Sequence, residues 1–270
     1  MRRCQPWLGT LVEINAVFAL ERHAAPAIDA AFETVRHVHR CMSVHERDSD
    51  VTRINESATG VAIMVDAATA QVLHKALAIK RETGGAFNVC CADSRRAGGG
   101  TPAVTDAIEI VGRRVTRLAP VRVDLGGIAK GYAVDRAVAV LQAGGARSGW
   151  VNAGGDLRFF GEECQPLTIR HPCAPDRAVT VASMVNGAAA TSYFGLRADC
   201  LADGALVDGR SGKTVRRGLV TVIAPDCMTA DALTKVAALL DKSADAILHR
   251  YAAEALWFPE PVPMQLVEAA

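Results

Sequence analysis

Hydrophobic positions recur at two spacings along this chain, and the change from one to the other marks out its elements. Thr10–Val17 reads as an opening strand. The run after it places Ile28, Ala31, Phe32, Val35, Val38 and Met42 on one helical face. A second helix is expected after Asp66, with Val72, Leu73, Ala76, Leu77 and Ile79 turned inward. A third carries Val134, Ala137, Val138 and Leu141 at i, i+3, i+4 and i+7. The last enters through Thr229 and buries Ala232, Leu233, Val236, Ala237 and Leu240.

Short apolar runs predict strands at Ala107–Val111, Val121–Val123, Trp150–Asn152 and Leu157–Phe160. Further strands are expected at Leu167–Ile169, Val179–Val181, Ala188–Thr191, Gly204–Val207 and Leu219–Ile223. Ala97–Pro102, AGGGTP, reads as the clearest flexible connection. The elements follow no strict βαβ rhythm and no repeat. The expected class is therefore α+β, with mixed or antiparallel sheets against packed helices.

Composition narrows the function classes. The chain has 270 residues, half of them apolar, and a net charge of +1. That length supports one unit over 1–270, or two intimate subdomains. Near-neutral charge without a basic run gives no reason to expect nucleic acid. No stretch approaches the roughly 20 apolar residues that span a bilayer, and MRRCQPWLGTLVEI has no apolar leader core before Cys4. Eight cysteines without a C-x-x-C pair read as reduced thiols in a cytoplasmic protein. Cys164, His171 and Cys173 lack a fourth ligand at zinc spacing.

The richest stretch in candidate chemistry is VDLGGIAKGYAVDRAVAVLQAGGARSGWVNAGGDL, from Val123 to Leu157. Asp124 ends an apolar run and precedes Gly126, Gly127 and Lys130; Asp156 follows a second glycine pair, Gly154 and Gly155. Glycines at a helix start let backbone N–H groups approach a phosphate, and a nearby lysine adds a compact positive charge. The unit reads as a nucleotide or phosphate site. The alternative is that the glycines only permit turns and Asp124 caps the helix. The stretch is neither a G-x-G-x-x-G fingerprint nor a Walker A loop. Asp156 alone reads as a turn-shaping residue, His37 and His39 as surface histidines, and Phe159-Phe160 as core and adjoining surface.

Taken together, the motifs resemble the family of FAD:protein FMN transferases, also called the thiamine-biosynthesis lipoprotein family. LGTLVEI resembles that family's Met-Gly-Thr strand, with Leu8 for methionine. MSVHERDSDVTRIN, GGAFNVC, DLGGIAKGYAVD, VNAGGDL and ADALT follow in the family's order. The resemblance implies an FMN-transferase-like fold. It also implies FAD contacts at Leu8, His45, Ala86, Phe87, Asn88, Asp124, Lys130 and Val207. It places magnesium on the Gly127 main-chain oxygen, Asp231 and Thr234, with Asp231 also catalytic. The implied reaction cleaves FAD and attaches FMN through a phosphoester to Ser or Thr of a target flavoprotein.

The departures fall in the chemistry. His45 stands where the family has an aromatic residue, and Asn88 where it has an acid. Ala205, opening ALVDGRSG, replaces the family's histidine, a candidate base. Lys235 stands four residues after Asp231, where the family carries a hydroxyl. Its ammonium would occupy the magnesium position, or else face solvent. Two alternatives to the transferase follow: an FAD-binding carrier without catalysis, and a magnesium-dependent FAD pyrophosphatase. Thr191-Ser192 resembles a hydroxyl pair the family keeps near the phosphates.

Overall fold

In a computed structural model, residues 1–92, 107–171, 174–194, 206–215 and 218–258 are described. In chain order these are β1 (Arg2–Trp7), β2 (Thr10–Phe18), α1 (Ala24–Met42), α2 (Asp50–Glu56), β3 (Ala62–Met64), α3 (Ala67–Glu82), β4 (Cys90–Ala92), β5 (Ile108–Val111), β6 (Arg114–Arg117) and β7 (Val121–Val123). Then come α4 (Ala129–Ala143), β8 (Ala146–Ala153), β9 (Asp156–Phe160), β10 (Gln165–His171), β11 (Ala174–Met184) and β12 (Gly187–Phe194). The last are β13 (Leu206–Val207), β14 (Thr214–Val215), β15 (Gly218–Ala224), α5 (Cys227–Leu240), α6 (Asp245–Arg250) and β16 (Glu254–Phe258).

A seven-stranded sheet, ordered β1-β2-β8-β9-β12-β15-β16, organises the molecule. Every neighbouring pair in it is antiparallel. Strand alternation sends Val12, Ile14 and Ala16 of β2 to the face where α1 and α4 lie, with Val151, Ala153 and Phe160. The opposite face is covered by the β10–β11 hairpin, whose Leu167 and Met184 pack on Phe159 and Ala189. Phe159 and Phe160 are therefore both buried, and the expected surface position is corrected. A sequence window cannot show that a distant hairpin covers the second face.

A further core joins α2, α3, α5 and α6 to β6 and β7, around Ile54, Leu73, Ile79, Leu125 and Leu233. Two polar side chains tie this region together. Asp50, buried in the first turn of α2, accepts hydrogen bonds from Asp66 N and Thr69 Oγ1 at 2.8 and 2.7 Å. Asn55 donates to Val123 O and accepts from Val123 N, at 2.9 and 2.7 Å, and so completes the free edge of β7. The Ser-acid-Asn block thus fixes the strand that ends at Asp124. Among the described residues no helix is long and apolar enough to cross a membrane.

Several elements are absent from the hydrophobic pattern. Strand β1 alternates Arg, Gln and Trp, and α2 is only 7 residues long. The AGGGTP connection and Ala205 lie outside the described residues, as does Cys173 of the zinc candidate.

Candidate functional site

Two tight hairpins and two helix starts converge on one region. At the β1–β2 turn, Leu8 and Gly9 both have positive φ, 57° and 72°. For Leu8 that left-handed conformation carries strain of about 1–2 kcal/mol, yet it aims the residue at a cavity. At the β8–β9 turn, Gly154 and Gly155 take φ of 65° and 102°, between the paired residues Ala153 and Asp156. A two-residue turn with φ positive at both positions matches the twist of the strands and favours glycine. Asn152 Oδ1 accepts from Gly155 N at 2.9 Å. The turn is thus built by the glycines and Asn152, which corrects the turn-shaping role expected of Asp156.

After β7, Asp124 Oδ1 accepts from Gly126 N at 2.8 Å. The carboxylate closes its own turn and does not cap α4, whose start has no side-chain cap. Lys130 follows in the first turn of α4. A cavity of about 350 Å³ opens here, and Leu8, His45, Asp124, Gly126 and Lys130 line it. Four of the residues expected to touch FAD are therefore brought together. Ala86 and Phe87 are buried in the chain's interior instead, and Asn88 accepts from Cys90 N at 3.0 Å. Val207 is exposed on β13. None of these four lines the cavity. The two stretches that hold them do meet: Gly209 N donates to Ala86 O at 2.9 Å, and a Cβ on Gly209 would stand 2.4 Å from Gly85 O.

Behind the cavity lies a buried charge cluster. Lys130 Nζ bonds Asp156 Oδ2 and stands 3.7 Å from Asp231 Oδ2. Lys235 Nζ bonds Asp231 Oδ1 from one turn further along α5. It also donates to Asp231 O at 3.0 Å and to Ser192 Oγ at 3.3 Å. The Lys235 side chain is 14% exposed, so it is not turned to solvent. Two ammonium groups thus face two carboxylates that are almost wholly buried.

Helix placement holds the cluster together. Gly131 N donates to Asp231 Oδ2 at 3.1 Å. A Cβ at Gly131 would stand 2.2 Å from Cys227 O, so only glycine allows α4 and α5 to approach this closely. Asp135 of α4 accepts from Cys227 N and Met228 N, both at 2.9 Å, and anchors the start of α5. Burial pushes the Asp135 carboxyl above its ordinary range despite these bonds.

Burial would push Asp231 up as well, but Lys130 and Lys235 overcome it and hold the carboxyl below the usual range. Burial disfavours the Lys130 ammonium, yet Asp156 and Asp231 more than compensate and raise its pKa. Asp156 is pushed up to about 6, by burial first and then by the Asp231 charge. An ordinary Asp titrates near 3.9, so between about pH 4 and pH 6 the folded state holds a proton the unfolded chain has lost. Asp156 therefore adds stability that is full below about pH 4 and is lost as pH rises through about 6. The depressed Asp231 acts with the opposite sign and only below about pH 4. The difference in unfolding midpoint between wild type and Asp156→Asn should shift across pH 4–6. A difference constant over that window would contradict the placement of Asp156.

The magnesium set does not fit these residues as they stand. Thr234 Oγ1 donates to Asp231 O at 2.8 Å and meets Ser192 Oγ at 2.9 Å. Asp231 Oδ1 already holds the Lys235 ammonium, and Oδ2 holds the Gly131 N–H. Magnesium needs near-octahedral oxygen ligands. A divalent ion and an ammonium about 4 Å apart repel by about 8 kcal/mol at an effective dielectric of 20.

A second group of ligand-type side chains, His37, Cys41 and Asp66, lies within 4.8 Å of one another. Burial pushes the Cys41 thiol up to about 11, which keeps it protonated, and Asp66 is occupied in capping α3 through Ala68 N. His37 lies at the surface, beside Asp66, as expected, whereas His39 is partly buried against Glu46 and Trp7 and departs from the surface reading.

A model of the ApbE family matches residues 8–257. The FAD:protein FMN transferase of Haemophilus influenzae is 26% identical over 236 residues, 74% of this chain and 68% of that protein. Its Vibrio cholerae namesake is 26% identical over 264 residues, 84% of this chain and 78% of that one. Among solved structures, the ApbE protein of Thermotoga maritima superposes with a TM-score of 0.78 at 25% identity, covering 97% of this chain and 95% of that one. Flavin transferase ApbE from Vibrio cholerae gives the same TM-score at 23% identity, over 96% and 93%.

Proposed function

The chain belongs to the ApbE family, and from that membership we propose that it is a flavin transferase acting as one unit over residues 1–270. FAD enters the cavity between the β1–β2 turn and the start of α4. A Ser or Thr hydroxyl of a target flavoprotein attacks the phosphorus on the FMN side of the diphosphate. A new P–O bond forms as the bridging P–O bond breaks. AMP leaves, and the hydroxyl proton passes to solvent. Relatives named FAD:protein FMN transferase support this reading.

The observation that carries it is the convergence of Leu8, His45, Asp124 and Lys130 on a single cavity at a glycine-rich helix start. The N–H groups of Gly126, Ile128, Ala129 and Gly131 at this start already have acceptors within the protein, so what the wall offers a phosphate is the positive charge of Lys130. Lys130 contributes charge from the cavity wall, and Asp231 holds Lys130 and Lys235 in place behind it. Positioning and charge stabilisation supply most of what phosphoryl transfer requires. The magnesium that the resemblance implies has no fitting ligand set among these residues.

A second reading is favoured by the same cluster. The Asp231 carboxylate is fully engaged, which suits an FAD-binding carrier without turnover. Both readings require FAD in the cavity. Lys130→Ala should weaken FAD binding by about 1–3 kcal/mol, the scale of a charge-assisted hydrogen bond. Flavin fluorescence titration reads this directly, and equal affinity in the variant would remove Lys130 from the site.

A further inference from the structure

We propose that Lys235 is a built-in cation that takes the place of a divalent metal, so that this protein binds FAD without one. The inference rests on the reading of the cavity as an FAD site. An ammonium carries three N–H donors. Lys235 Nζ meets three oxygen acceptors: Asp231 Oδ1, Asp231 O and Ser192 Oγ. A carboxylate, a main-chain oxygen and a hydroxyl are also the kind of oxygens a hard cation takes. The cation here is covalently attached, and it cannot be removed by a chelator.

The surroundings fit the lysine along its whole length. The Lys235 stem lies over Gly127, and a Cβ at Gly127 would stand 3.4 Å from Lys235 Cε. A methyl group at Gly127 would meet the stem at ordinary van der Waals distance, so the turn packs on the lysine without crowding it. Gly127 is also the residue whose main-chain oxygen was expected to hold magnesium, so the side chain runs through the region between Gly127 and Asp231. The weakest of the three bonds, 3.3 Å to Ser192 Oγ, is the one a phosphate oxygen would displace. Thr234 cannot restore a metal ligand while its hydroxyl bridges Asp231 O and Ser192.

The two cations divide the work. Lys130 stands on the cavity wall and Lys235 deeper, 29% and 14% exposed. Both are balanced by Asp156 and Asp231, so the resting site carries no net charge from these four groups. A diphosphate brings two negative charges to two ammonium groups already held in place, as preorganised binding requires.

The experiment measures FAD affinity of the purified protein by fluorescence titration, once in excess EDTA and once in millimolar magnesium chloride. Wild type should bind FAD in both, with affinities within about twofold, because no differential metal interaction exists. Lys235→Thr should bind about tenfold or more weakly in EDTA, one charge-assisted contact having gone, and recover in magnesium. Wild-type binding that collapses in EDTA and returns with magnesium would overturn the proposal. That result needs no variant, so a Lys235→Thr protein that fails to fold leaves the test intact. Absence of FAD binding under both conditions would instead overturn the FAD reading on which the proposal stands.

Discussion

Replacing Asp231 with alanine should destabilise the protein by about 3–5 kcal/mol, the scale for removing one partner of a buried ion pair. The carboxylate is fully buried and accepts from Gly131 N, while Lys235 bonds it directly and Lys130 stands 3.7 Å away. Without it, the Lys235 ammonium keeps only Asp231 O and Ser192 Oγ, and the cluster carries an uncompensated charge. The reciprocal change distinguishes this from simple loss of packing. Removing that charge as well, in the double variant Asp231→Ala, Lys235→Met, should recover much of the loss. Urea unfolding of the wild type, both single variants and the double variant gives the coupling. Additive effects would show that the two side chains are not paired.

Gly131→Ala should cost about 3 kcal/mol, the upper end of the range for overpacking. The clash is with backbone, since the added Cβ would lie 2.2 Å from Cys227 O and 2.8 Å from Met228 Cα. No rotamer relieves it, so α4 and α5 must move apart. That motion would also draw Gly131 N away from Asp231, so FAD affinity should fall with stability. The unfolding midpoint checks the first effect and flavin titration the second. An unchanged midpoint would mean that the helices do not cross as described.

These two residues also show what the sequence could and could not reveal. Long amphipathic helices were legible because their apolar positions keep one period: α1 buries Ile28, Ala31, Phe32, Val35, Val38 and Met42 as the spacing requires. Strands β2, β7, β9 and β15 were legible as apolar runs bounded by turns. The mostly exposed β1, the short α2 and the final strand β16 were not, because neighbours rather than their own pattern hold them.

At the site, the motif DLGGIAKG reads as a phosphate motif, but the reason for its last glycine lay elsewhere. Gly131 permits a helix crossing, while Gly127 lies in van der Waals reach of a lysine stem more than one hundred positions away. Asp156 looked like a turn residue because the glycine pair before it already explains a turn. Its pairing with Lys130 joins two segments through the fold, and no local window contains that information. Lys235 was visible as the odd residue on α5, four after Asp231. Whether it met the carboxylate or the solvent depended on the turn at Gly127 packing over its stem and on Ser192 supplying an acceptor.

The central claim is that this chain moves FMN from FAD to a protein hydroxyl. Mass spectrometry of a target flavoprotein, incubated with this protein and FAD, tests it most directly when nucleotide products are followed by chromatography. The account predicts covalent FMN on a Ser or Thr of the target, with AMP released in equal amount. Intact FAD beside an unmodified target, or FMN and AMP free in solution, would contradict it.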